Sequence, residues 1–139
     1  LKYRNNFMNQ YISSDINLIK ECYYQYSFVK SGNSIPDFSL YLHTQGEFIF
    51  NNSKYNANET LDLINIFCKN MDSIKVDILN KIECLNVLER SYLMLSNWNC
   101  VTLDKHHKVV YPMMQIIKVN SSKIIKTIGV INMKSLILI

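Results

Sequence analysis

The residues best equipped for chemistry stand together in Asp104-Lys105-His106-His107-Lys108, a polar run between two β-type stretches. On an extended backbone alternate side chains point to opposite faces, so Lys105 and His107 share one side and His106 and Lys108 the other. Both sides of such a ribbon can meet phosphates, and imidazoles can stack on or hydrogen-bond to unpaired RNA bases. Trp98, between Asn97 and Asn99, adds a stacking and amide-reading group nearby. A polar hairpin standing in water is the alternative. Asp104 and His106 invite reading as an acid and base pair, although two residues so spaced are ordinarily a surface contact. His43 is the remaining histidine, no nucleophile motif surrounds any Ser or Cys, and the three glycines form no phosphate loop. The expectation is a binding protein, not an enzyme, with no cofactor and no metal.

Charge is placed unevenly. The net charge is +4, yet from Asp104 to Ile139 six lysines face one acid, a local balance of +5. That asymmetry suits a polyanionic partner at one face, or equally a solvated lysine surface. Cys22, Cys68, Cys84 and Cys100 include no pair at zinc-ligand spacing and read as reduced, mostly buried thiols. No run of apolar residues is long enough for a membrane helix, and no secretory signal is visible. Asn, Ile, Lys and Tyr abound while Ala57 is the only alanine and Arg4 and Arg90 the only arginines, which suggests AT-rich coding.

The elements that must position these residues follow from periodicity. Ser13 or Ser14 can cap a helix whose Ile16, Ile19, Tyr23 and Tyr26 fall on one face, with Gly32 and Pro36 as stops. Residues 1–38 therefore read as a mostly helical extension, and 39–139 as the main domain. Phe38 to Phe50 reads as strand, and Asn56-Ala-Asn-Glu59 as a capping box opening a helix over residues 58–70. Strands are expected at Ile74 to Val76, Leu85 to Leu88, Val101 to Leu103 and Val109 to Ile117. Asn120-Ser-Ser then reads as the cap of a short helix with an Ile124, Ile125 and Ile128 stripe, ended by Gly129, before a strand from Leu136 to Ile139. Strand, helix, strand, strand, helix, strand is the α+β, ferredoxin-like βαββαβ order.

Arg90-Ser91 is followed seventeen positions later by His107-Lys108, and thirty-one residues remain after that. This register resembles the carboxy-terminal half of the universal small-subunit ribosomal protein number ten, the S-ten family, over about Leu85 to Ile139. The chain departs from the family's pattern in having no Gly or Pro between Val76 and Lys81, Tyr92-Leu93 after Arg-Ser, and Val109 after His-Lys. The resemblance implies an extended hairpin of the second and third strands reaching into the head of the small subunit. Arg90, Ser91, His107 and Lys108 would then lie against small-subunit rRNA, joined by Lys105, His106, Lys81 and Trp98. It also implies the small-subunit head proteins of S-three, S-nine and S-fourteen type as neighbours, in a mitochondrial ribosome. The rival expectation is a mainly helical viral or parasite interaction domain that binds host proteins through an apolar groove, motivated by AT-rich coding and the amphipathic segments 14–30 and 58–70.

Overall fold

The computed structural model describes residues 2–104, 106–131 and 137–138, with side chains described from residue 10 to 131 within those spans. A long helix, α1 (Lys2–Tyr24), runs into a 3₁₀ turn (Gln25–Phe28), and a second 3₁₀ turn (Phe38–Leu40) leads to β1 (Leu42–Phe50). Then come β2 (Ser53–Tyr55), α2 (Ala57–Lys69), β3 (Met71–Asn86), β4 (Ser91–Thr102), β5 (Lys108–Asn120), β6 (Lys123–Ile131) and β7 (Ile137–Leu138). The strands form one sheet in the order β2-β1-β6-β5-β4-β3, with β7 alongside β5. The β1 and β6 pair is parallel and every other pair antiparallel.

Local chemistry sets several of these elements. The Asn56 side chain accepts from the Glu59 N–H at 2.8 Å while the Glu59 carboxylate accepts from the Asn56 N–H at 3.0 Å, so the expected capping box starts α2. Asn51 and Asn52, with φ of 46° and 70°, make the two-residue turn between β1 and β2. Gly46 sits where β1 shifts register against β6, and a Cβ there would lie 2.9 Å from the His43 carbonyl oxygen. Register shifts between β3 and β4, at 71/73, 79/83 and 84/86, bend the long edge strand β3 around the core.

The inner face of the sheet alternates regularly. Tyr92, Met94, Ser96, Trp98 and Cys100 of β4 are all buried, as are Gln115, Ile117 and Val119 of β5. Ile19, Cys22, Tyr23 and Tyr26 of the first helical segment close over this face, joined by Phe38 and by Phe67 of α2. The apolar stripe of the expected amino-terminal extension thus covers the chain's own sheet. No described helix is long and apolar enough to cross a membrane.

The ferredoxin-like βαββαβ arrangement, with its long projecting hairpin and separate helical extension, does not hold. Residues 123–131 form β6, not a helix: Ser121 and Ser122 take φ of 52° and 59° in a tight turn, and the dense β-branched run after them pairs with β5. Gly129 lies within that strand. The hairpin expected as an RNA-reaching finger is β4 and β5, each with a neighbouring strand on both sides. The expected strand at Leu136 to Ile139 is described only at Ile137–Leu138, and its flanking residues lie outside the described residues. A mainly helical domain is equally at odds with a sheet of this size.

Candidate functional site

Of the eight sequence-predicted residues, the seven that are described do not share one surface. Arg90 closes the β3–β4 turn with φ of 52°, and Ser91, half-buried, opens β4. Lys81 is exposed on β3, beside the bulge that follows Leu79. His106, His107 and Lys108 are exposed where β4 turns into β5, and Lys105 lies outside the described residues. His106 Nδ1 stands 3.8 Å from a carboxylate oxygen of Asp72. Trp98 is only 5% exposed and meets Tyr23, Tyr26 and Phe67 edge to face, so its ring offers no surface to a base.

What the fold does gather is a polar cluster under α1. Asp15, 1% exposed, receives Arg90 Nε at 2.9 Å and Arg90 Nη2 at 2.6 Å, one on each carboxylate oxygen, and the Tyr92 hydroxyl at 2.6 Å. The Tyr11 ring lies 4.9 Å from the guanidinium carbon, covering its other side. Burial pushes the Tyr92 phenol well above its ordinary range, and the hydrogen bond to Asp15 adds to the shift. With both oxygens engaged by a cation and a phenol, this carboxylate is an anchor between α1 and the sheet, poorly placed to take a proton from a substrate.

A second polar pair lies deeper, at the middle of the inner face. Gln115 Nε2 donates to the Tyr23 hydroxyl at 2.7 Å, while Gln115 Oε1 is buried with no partner among the described residues. Turning the amide over would let Tyr23 donate to the oxygen and would strand the NH2 group, so one end of the amide is unmatched in either orientation. Both residues are 7% exposed. Tyr23 also lines a groove of about 380 Å³ between α1 and β3, whose other walls are Lys20, Glu21, Tyr24, Val76 and Ile78. Burial raises the phenol of Tyr23 far above its ordinary value and pushes the Cys22 and Cys100 thiols to about 12 and Cys68 to about 11, holding all four groups protonated at neutral pH.

Asp15, Tyr23 and Gln115 escape motif searches because each is a lone polar residue in an apolar pattern. That is nonetheless their signal: Asp15 precedes Ile19 and Tyr23 by four and eight positions on the apolar helix face, and Gln115 shares the inward side of β5 with Ile117 and Val119. The described residues include no group of three or more His, Cys, Asp or Glu that could hold a metal ion.

No family model matches the chain, and no curated protein matches it. Solved structures do. AclR of Streptomyces galilaeus, a candidate hydroxylase, superposes with a TM-score of 0.74 at 8% identity, over 88% of this chain and 92% of its own. A candidate SnoaL-like polyketide cyclase from Jannaschia sp. CCS1 gives 0.69 at 8% identity, over 88% of each chain. An NTF2-like protein from Anabaena variabilis gives 0.65 at 12% identity, over 86% of this chain and 91% of its own. At such identities the likeness establishes the fold alone, an NTF2-like, SnoaL-like fold. It replaces the S-ten resemblance, and with it the expected ribosomal role, small-subunit rRNA, and the S-three, S-nine and S-fourteen type neighbours. The expected host-protein-binding domain gains no support from these structures either.

Proposed function

We propose that this chain binds a small, mainly apolar molecule carrying one hydroxyl group, seated in the groove between α1 and β3 with the hydroxyl turned toward Tyr23 and Gln115. The observation that carries the reading is the unmatched end of the Gln115 amide, which is buried beyond the groove's own lining and joined to it through the hydrogen bond to Tyr23. A hydroxyl both donates and accepts, so it satisfies the amide and the phenol together in either orientation of the amide. The groove volume of about 380 Å³ falls in the range of small-molecule sites, and Val76, Ile78 and the tyrosine rings supply the apolar walls. The neighbouring solved structures are named for small-molecule chemistry, which supports the class of ligand.

The ligand is bound and not converted. His106 and His107 stand outside at the β4–β5 turn, and His43 Nδ1 accepts from the Gln45 N–H at 3.0 Å in β1. Asp15 is tied by Arg90 and Tyr92, and the inner thiols and phenols are held protonated by burial. Titration calorimetry with 1-naphthol, against 1-fluoronaphthalene as the isostere without a hydroxyl, tests the reading. Saturable one-to-one binding of the naphthol is expected, weakened about tenfold by Gln115→Leu and abolished by Ile78→Trp, which fills the groove. Equal affinity for both probes, or an unchanged affinity in the Ile78→Trp protein, would overturn it.

A further inference from the structure

A separate cavity lies at the carboxy-terminal end of α2. The segment from Val29 to Ile35 folds over the last turn of α2 and the first residues of β3, enclosing about 340 Å³. Its shape is fixed by a turn in which the Asn33 N–H donates to the Lys30 carbonyl at 3.1 Å and Gly32 takes φ of 83°, a value that suits glycine at the third position of a type II turn. Lys30 also bridges to Ser73 on β3, so the segment is stitched to the sheet edge.

The cavity is amphiphilic in a directed way. Val29, Cys68 and Met71 are buried and make the floor. Lys30 and Lys69 stand exposed at the rim beside Ser31, Asn33 and Ser34, and no carboxylate of the described residues lines the space. Neither lysine takes part in an ion pair among the described residues. The carbonyl end of α2, which would repel an anion, is occupied. Asn70 donates from its backbone to the Phe67 and Cys68 carbonyls and from its side chain to Ile66, and its own carbonyl accepts from the Leu103 N–H at 3.0 Å.

We propose that this cavity binds a small amphiphilic anion, with a carboxylate or phosphate head between Lys30 and Lys69 and a short apolar tail on the Val29, Cys68 and Met71 floor. The site shares no lining residue with the Tyr23 groove and stands independently of it. Two cations with no ion pair among the described residues give the head group its attraction, and the floor gives a hydrophobic gain that an inorganic anion would lack.

Calorimetric titration of the full chain with octanoate, octyl phosphate and 1-octanol tests this. At least one of the two anions is expected to bind one-to-one, at least tenfold tighter than 1-octanol and more weakly as salt rises, and the preferred anion identifies the head group. Lys30→Glu with Lys69→Glu is expected to lower that affinity more than tenfold, and Lys30→Gln with Lys69→Gln by a smaller factor, with the circular dichroism melt unchanged. Ile78→Trp, which blocks the other groove, is expected to leave anion binding intact. Binding of 1-octanol as tight as that of the anions, absence of binding by both anions, insensitivity to charge reversal, or loss of binding in Ile78→Trp would each overturn the assignment.

Discussion

Arg90 holds Asp15 in a two-pronged grip, Nε to one carboxylate oxygen at 2.9 Å and Nη2 to the other at 2.6 Å, across a separation of 75 residues in the chain. The pair fastens α1 to the β3–β4 turn and so sets the height of the helix above the inner face. Arg90→Ala would leave a buried carboxylate with only the Tyr92 hydroxyl, at a cost of about 3 kcal/mol in urea unfolding. Joint replacement, Asp15→Leu with Arg90→Met, is expected to cost less than Arg90→Ala alone, because no charge is then stranded. If the double replacement proves the more damaging, the grip has been misjudged.

Burial raises the Cys22, Cys68 and Cys100 thiols to about 12, 11 and 12 from an ordinary 9.0. Below about pH 8 both folded and unfolded chains keep these protons and the thiols contribute no slope. From there up to the raised values the unfolded chain releases protons that the folded chain retains, so stability falls as pH rises. Urea midpoints from pH 7 to 10.5 should be flat up to about 8 and then decline. Replacing the three cysteines by alanine should flatten the first part of that decline, below the range where tyrosines ionise.

Asn56→Ala removes the acceptor for the Glu59 N–H and half of the capping box. A loss of about 1 kcal/mol is expected by urea unfolding, and Asn56→Asp should retain most of the stability.

Gly46→Val places a branched side chain where a Cβ alone would already meet the Phe48 ring at 2.5 Å and the His43 carbonyl at 2.9 Å. Phe48 is buried and His43 presents backbone, so neither yields freely. A loss of about 2 kcal/mol or more in thermal unfolding is the expected outcome.

Features written within a few residues were legible in the chain, and those that depend on distant partners were not. The α2 capping box lies within four consecutive positions and could be read directly. The apolar stripe through Ile19, Tyr23 and Tyr26 was equally visible, but nothing local says that it meets Trp98 and Gln115. The spacing from Arg90-Ser91 to His107-Lys108 has a plain cause in this fold: Ser91 opens β4 and Lys108 opens β5, so the distance is the length of one strand and its turn. Any hairpin of that size reproduces it. The error at residues 120–131 arose because Ile124, Ile125 and Ile128 satisfy helical spacing, while the two serines at left-handed φ that commit the chain to a hairpin carry no sequence mark as strong as Asn-Gly. Gln115 carries only the faint mark of an amide on an apolar strand face, because its unmatched end exists only once α1 has covered it.

Gln115 and Tyr23 are proposed to receive a ligand's hydroxyl. Side-chain amide spectra of the ¹⁵N-labelled protein report on this directly, through the Gln115 NH2 pair. Saturating 1-naphthol is predicted to shift those two resonances while 1-fluoronaphthalene leaves them in place. Resonances of the Gln115 amide unmoved by the naphthol, in a sample where calorimetry shows it bound, would contradict the account.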